Sequence, residues 1–320
     1  IFAGQLALML VRQSSRKRKG VPIAGDGRLR AMLQLPFAPT GAQRRAFGEI
    51  EGDMAQPVPM LRLLQGDVGS GKTLVALMAL LNTVEAGAQG ALLAPTEILA
   101  RQHYETLRKM ASGLPVTIAI LTGREKGRAR ESTLMGLADG SIDILVGTHA
   151  IFQEAVRYKN LALAVIDEQH RFGVAQRMML AAKAERTPHL LVMTATPIPR
   201  TLTLTYYGEM DVSRLDEMPP GRQPIQTVVM SANRLDEVVD ALARHVEGGG
   251  QAYWVCPLVE ESEASDQAAA EARAEYLKMR FGERVGLVHG RMKGPEKDAA
   301  MEAFATNRTQ ILVATTVIEV

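Results

Sequence analysis

The chain has 320 residues, room for roughly two domains of the usual size. Its 47% hydrophobic and 22% charged residues suit a globular protein with a packed core, and only 4% aromatics make that core largely aliphatic. With 37 basic against 35 acidic side chains there is no global field to hold a polyanion, so nucleic-acid binding would have to come from local patches.

The single cysteine, Cys256, excludes a disulfide framework and a cysteine-built zinc cluster, and the 6 histidines show no metal-ligand spacing. Cys256 closes the apolar run Ala252-Tyr253-Trp254-Val255 and reads as a buried strand residue; a reducing, cytoplasmic setting is expected. Residues 1–11 are apolar but lack the basic leader and small-residue cleavage site of a signal peptide, so they read as the end of a helix from a preceding domain. No stretch is apolar for long enough to span a membrane. Ser14-Ser15-Arg16-Lys17-Arg18-Lys19 is a basic loop, readable equally as a solvated linker or a nucleic-acid contact. Residues 1–34 are therefore expected to be the tail of a preceding domain or a linker helix.

From about Leu61 onward, β-branched and leucine-rich runs alternate with helical patterns. Strands are expected at residues 61–65, 91–94, 116–121, 142–146, 161–166 and 190–193, with helices at 73–86 and 98–110. Nearly continuous apolar runs of this length suit parallel strands buried on both faces. Met218-Pro219-Pro220-Gly221-Arg222-Gln223-Pro224 then breaks the pattern as a linker. A second series comes next, with strands at 225–230, 252–256, 285–289 and 311–314 and helices at 234–246, 266–280 and 295–305, the last opened by Pro295. The expected fold class is α/β: two tandem doubly wound parallel-sheet domains, 35–218 and 219–320. The chain stops at Thr315-Thr316-Val317-Ile318-Glu319-Val320, directly after a strand-like run, so the second domain is expected to be incomplete and the chain cut at both ends.

Gly66-Asp67-Val68-Gly69-Ser70-Gly71-Lys72-Thr73 matches the Walker A pattern in full, after one expected strand and before one expected helix. Its glycines let the backbone wrap closely and aim N–H groups at phosphate oxygens, and the helix N-terminus adds favourable partial charge. Lys72 would reach the β and γ phosphates of ATP, and the Thr73 hydroxyl would hold Mg2+.

Leu161-Ala162-Leu163-Ala164-Val165-Ile166 runs straight into Asp167-Glu168-Gln169-His170. Two acids at the carboxyl end of a buried strand sit on the edge where open α/β sheets bind ligands. Asp167 would hold Mg2+, and Glu168 would orient the attacking water, the division of labour that phosphoryl transfer requires. Gln169 and His170 are placed to sense the γ-phosphate or to couple the two domains.

Further blocks carry a resemblance. Leu35-Pro36-Phe37-Ala38-Pro39-Thr40-Gly41-Ala42-Gln43 resembles the adenine-reading segment that precedes Walker A in superfamily-2 helicases. Ala94-Pro95-Thr96-Glu97-Ile98-Leu99-Ala100, Gly147-Thr148-His149-Ala150 and Thr194-Ala195-Thr196-Pro197-Ile198-Pro199-Arg200-Thr201 resemble their motifs Ia, Ib and III. Asp167-Glu168-Gln169-His170-Arg171-Phe172-Gly173-Val174 resembles motif II with the extension seen in RecG-like DNA helicases. Pro219-Pro220-Gly221-Arg222 and residues 254–263 resemble connecting segments of that family. Val288-His289-Gly290-Arg291-Met292 and residues 313–320 resemble motif IV and the start of motif V. The match runs from about Leu35 to the last residue.

The resemblance implies two RecA-like domains and an ATP- and Mg2+-dependent DNA helicase or translocase. Its substrate would be branched DNA, at replication forks and Holliday junctions, in recombination and repair, with a monomer favoured. It implies that Gln43 binds the adenine edge through its amide and that Phe37 stacks on the ring. Thr96, Thr148 and His149 would touch the phosphodiester backbone, since hydroxyls and backbone N–H groups grip a strand without reading its sequence. Taken alone, a threonine before a helix is more often an N-cap than a DNA contact. Thr194 and Thr196 would couple the nucleotide site to the strand-binding face, and Arg291, Thr315 and Thr316 would complete the track on the second domain. The alternatives are a transcription-repair coupling translocase on duplex DNA and a nucleotide-binding module inactive because truncated. The former usually has Asp-Glu-Glu-Gln where this chain reads Asp167-Glu168-Gln169-His170. A later motif would supply arginines to the γ-phosphate, and an arginine finger is worth ~10³–10⁵ in rate. The isolated chain is therefore expected to bind nucleotide and hydrolyse it poorly.

Overall fold

The computed structural model describes residues 20–153, 155–167, 187–196, 210–221, 225–256, 263–290 and 292–315. Contacts divide the chain into two compact units, Ile1–Arg222 and Gln223–Val320.

In the first unit the described elements are α1 (Arg28–Ala31), α2 (Gly41–Met54), β1 (Leu61–Gly66), α3 (Lys72–Glu85), β2 (Gln89–Leu93), α4 (Glu97–Met110) and β3 (Ile118–Leu121). After them come α5 (Gly127–Asp139), β4 (Ile144–Gly147), a 3-10 turn (His149–Phe152), β5 (Leu161–Asp167), β6 (His189–Thr194) and β7 (Asp211–Leu215). The strands form one 7-stranded sheet in the order β3-β4-β2-β5-β6-β1-β7, and every neighbouring pair is parallel.

Strands β2, β4 and β5 are buried at every position and, apart from Gln89 at the start of β2 and Asp167 at the end of β5, are apolar throughout, as a sheet covered on both faces requires. Helix α3 is apolar almost all round and buries Leu74, Val75, Ala76, Leu77, Ala79, Leu80 and Leu81, so it lies inside the domain. It packs close to β2: a Cβ on Gly90 would stand 2.4 Å from Leu80 Cδ2. Strand β7 is absent from the sequence expectations because Asp-Val-Ser-Arg-Leu carries little apolar signal; its pairing with β1 holds it at the sheet edge.

Residues 20–33, which precede the first expected domain, pack on this unit. Gly20 N–H donates to Pro57 O at 3.0 Å and Ile23 N–H to Met54 O at 2.8 Å, with the Ile23 side chain buried. Arg30 pairs with Glu85 at 3.1 Å, where the Glu85 side chain is 1% exposed and also accepts from the N–H groups of Gly27 and Arg30. A buried carboxylate at a helix C-terminus opposes the helix dipole, so these partners are what make Glu85 tolerable there.

In the second unit, α6 (Leu235–Glu247), β8 (Ala252–Val255), α7 (Glu263–Phe281), β9 (Val285–Val288), α8 (Gly294–Ala305) and β10 (Ile311–Ala314) surround a 3-stranded parallel sheet in the order β8-β10-β9. Asp236 and Glu237 open α6 and Arg244 and His245 close it, each sign matched to the dipole end it faces. Cys256 is buried just after β8 and burial pushes its thiol pKa up, as fits a packing residue rather than a nucleophile. The strand expected at 225–230 does not form. Ile225, Val228 and Val229 are 73%, 66% and 95% exposed, and among the described residues no strand pairs with the segment. A run of β-branched and apolar residues does not make a strand without a hydrogen-bonding neighbour. Among the described residues no helix is long and apolar enough to cross a membrane.

One buried group sets a pH dependence. His189 opens β6 with no exposed surface; its Nδ1 accepts from Met60 N–H at 2.9 Å and its Nε2 donates to Val21 O at 2.7 Å. That pattern needs the neutral ring, and burial lowers its pKa below the ordinary 6.5. Between the lowered folded value and 6.5 the unfolded chain binds more protons, so this contribution to stability is complete above 6.5 and is lost as pH falls. Thermal melts should show the first unit losing stability from neutral pH toward pH ~5, with a flatter profile in His189→Gln.

Candidate functional site

In a parallel sheet all carboxyl ends lie on one edge, and the pairing of β5, β6 and β1 places three expected motifs side by side there. Gln65 of β1 is in register with Thr194 of β6, and Met193 of β6 with Asp167 of β5. Strands ~4.8 Å apart put Asp167 roughly 10 Å from the root of the glycine-rich loop.

The loop leaves β1 at Gly66 and enters α3 through Gly69 and Gly71, at φ +76° and +88°, conformations that L side chains rarely adopt. Thr40 and Thr96 cap α2 and α4 with their hydroxyls, but α3 has neither a side-chain cap nor an acidic residue in its first turn. The positive end of its dipole is thus left for an external anion. Lys72 turns back along the loop, its Nζ donating to Gly66 O at 2.6 Å and Asp67 O at 3.1 Å. Ser70 N–H donates to Asp67 O at 3.0 Å, while the buried Ser70 Oγ has no hydrogen-bond partner among the described residues. Asp67, Val68 and Gly69 are exposed at the tip, and the Thr73 residue is half-buried at the helix start. The ends of β1, β6 and β7 also frame a cavity of about 310 Å³ lined by Gln65, Gly66, Asp67, Ala195 and Asp216 among others.

Gln43 is buried and engaged at both ends of its amide. Oε1 accepts from Thr40 N–H at 2.9 Å, closing the capping box, and Nε2 donates to Ser70 O at 2.8 Å. The residue expected to read adenine is therefore also the tie between α2 and the glycine-rich loop. Phe37 is 46% exposed just ahead of the Thr40 cap.

Asp167 ends β5 and is 9% exposed; its Oδ2 is 2.6 Å from His103 Nε2 on α4. His103 was not among the residues singled out from sequence. A signal was present: Leu99, Ala100 and Leu107 make the buried stripe of α4, and His103 falls on that stripe at helical spacing. At the end of β6, the hydroxyls of Thr194 and Thr196 are 2.9 Å apart, and Gln65 Nε2 donates to Thr196 O at 3.2 Å. The segment after β6 is thus joined to the residue just before the phosphate loop.

The expected strand-contacting residues differ in setting. The Thr96 hydroxyl accepts from Leu99 N–H at 3.3 Å and so acts as the N-cap of α4. Thr148 comes after β4, half-buried and without a side-chain cap bond, next to an exposed His149. In the second unit Thr315 is buried, its N–H donating to Val288 O at 3.3 Å. Glu168, Gln169, His170, Arg291 and Thr316 lie outside the described residues, as do residues 14–19, 171–174 and 197–201.

Residues 40–205 match the DEAD/DEAH box helicase family. The chain belongs to that family. Residues 233–320 match the helicase conserved C-terminal domain, so this helicase chain carries two RecA-like domains, the second in part. It is 49% identical over 327 residues to the ATP-dependent DNA helicase RecG of Escherichia coli (strain K12), covering 100% of this chain and 47% of that protein. It is 47% identical over 324 residues to RecG of Thermotoga maritima, covering 100% of this chain and 41% of that one. The solved structure of RecG bound to a three-way DNA junction matches with a TM-score of 0.81 and 43% identity, over 100% of this chain and 42% of that chain. The chain thus spans less than half the length of these relatives.

The glycine-rich loop leaves no room for a side chain at Gly71. A Cβ on Gly71 would stand 2.2 Å from Gln43 Nε2 at a φ of +88°. Gly71→Ala should lower stability by more than about 1 kcal/mol, read as a lower urea midpoint at unchanged slope. An unchanged midpoint would show that the Gln43 tie is dispensable.

Proposed function

We propose that this chain is the ATP-hydrolysing motor core of a RecG-like DNA helicase acting on branched DNA in recombination and repair, in the cytoplasm and as a monomer. The observation that carries the reading is the common edge on which the glycine-rich loop, Asp167 and Thr194 stand in adjacent strands. The whole-chain identity to proteins named RecG supports it, as does the likeness to a RecG bound to a three-way junction.

In this reading residues 35–218 and 219–320 are the two motor domains and 1–34 belong to the segment that precedes them. The loop from Gly66 to Thr73 cradles the phosphates of ATP, with Lys72 exchanging its two loop carbonyls for phosphate oxygens. Ser70 Oγ, without a hydrogen-bond partner among the described residues, and the uncapped start of α3 suit an anion, and the Thr73 hydroxyl and Asp167 carboxylate are hard oxygen donors of the kind Mg2+ takes. Bound there, Mg2+ would neutralise charge developing on the phosphates. Glu168, next in sequence to Asp167, orients water, and His170 reports on the γ-phosphate. Phe37 stacks on the base, and Gln43 reads its edge with whatever hydrogen-bonding capacity its two ties leave. Backbone N–H groups beside Thr96, Thr148 and His149 hold the phosphodiester strand, and Arg291, Thr315 and Thr316 hold it on the second domain. Thr194 and Thr196 carry the coupling through Gln65.

The test is steady-state ATP hydrolysis with this chain at the full length of its relatives, against no DNA, single strands, plain duplex, forks, four-way junctions and RNA. Stimulation chiefly by forks and junctions, abolished in Lys72→Ala, is expected. Equal stimulation by plain duplex would move the reading to a duplex translocase, and stimulation by RNA alone would overturn the substrate.

A further inference from the structure

We propose that His103 is a positioning residue that holds the Asp167 carboxylate ready for Mg2+. The inference rests on the proposed reading of Asp167 as a metal ligand and adds to it a residue outside the sequence blocks that carry the resemblance. The contact is His103 Nε2 to Asp167 Oδ2 at 2.6 Å, between side chains 12% and 11% exposed.

The placement is specific. His103 stands on the inward stripe of α4, between Ala100 and Leu107, both fully buried. A polar ring on that face is stabilised only by the partner it finds, and the partner is the carboxylate. Asp167 for its part ends a strand whose residues are all buried, where a carboxyl group with one fixed oxygen has lost most of its rotational choice. The bond occupies Oδ2 and leaves Oδ1 and further lone pairs for an ion or its water. Carboxylates that ligate metals are themselves hydrogen-bonded, and removing such a partner typically weakens metal binding about 10–100-fold.

The contact also connects two functions. Helix α4 opens at the Thr96 cap, and His103 lies seven residues on, roughly 10 Å along the axis. A rigid helix whose first turn neighbours the proposed DNA strand is therefore hydrogen-bonded, two turns later, to the proposed metal carboxylate.

The experiment is a titration of Mg2+ into the chain with a fluorescent ADP, read as the Mg2+-dependent gain in nucleotide affinity, so that no turnover is needed. Four variants are compared with the parent. His103→Leu removes the donor, and His103→Asn keeps polarity but is one bond too short to reach. His103→Gln places an amide nitrogen the same number of bonds from Cβ as Nε2. Asp167→Asn tests the metal reading itself. The expected result is a Mg2+ requirement raised about 10-fold in His103→Leu and His103→Asn, restored in His103→Gln, with binding in EDTA unchanged throughout. Should Asp167→Asn weaken the Mg2+ response while His103→Leu and His103→Asn do not, the His103 proposal fails and the metal reading stands. Equal losses in His103→Gln and His103→Leu would make the ring a packing element and overturn positioning. An unaltered Mg2+ response in Asp167→Asn would remove both.

Discussion

Strand β6 pairs in parallel with β5 on one side and β1 on the other, and this pairing brings the chemistry of the first unit to one place. Parallel strands all end on the same edge, so the residues at and just past their carboxyl ends are gathered there however far apart they are in the chain. Gly66 and Asp167 are separated by about a hundred residues of sequence and by two strand spacings of about 4.8 Å in space. Around that edge several hydrogen bonds tie neighbouring elements together. Gln43 is tied to Ser70 O, Lys72 to the loop carbonyls, Gln65 to Thr196 O, and His103 to Asp167. A movement in any of the elements α2, α4 or β6 would be felt at the loop or the carboxylate.

Much of this was legible in the sequence because it is written in local patterns. The buried strands announce themselves as unbroken apolar runs, and the phosphate loop as glycines at set spacing leading into Lys72 and Thr73. What local patterns do not carry is the identity of a partner. Residues 225–230 have the composition of a strand, yet Val229 is 95% exposed because a strand exists only with a neighbour. Strand β7 is the reverse case: weak in composition, it is made by pairing with β1.

The site shows the same division. Lys72 and Thr73 open α3 and Asp167 ends β5, placements that the helical and apolar patterns around them imply because such patterns are local. Thr96 is used as a cap, the reading that any threonine before a helix invites. The engagement of Gln43 with Ser70 and the contact of His103 with Asp167 join residues 27 and 64 positions apart, and the packing of α2 and α4 on the sheet makes those meetings.

Everything proposed for the first unit depends on the loop from Gly66 to Thr73 and the first turn of α3 being the phosphate site. Hydrogen–deuterium exchange of the chain with and without saturating ADP and Mg2+ tests this most directly. Slowed exchange in peptides covering residues 66–76, abolished by Lys72→Ala, is the predicted result. Nucleotide-induced protection confined to other segments, or protection of 66–76 that survives Lys72→Ala unchanged, would contradict it.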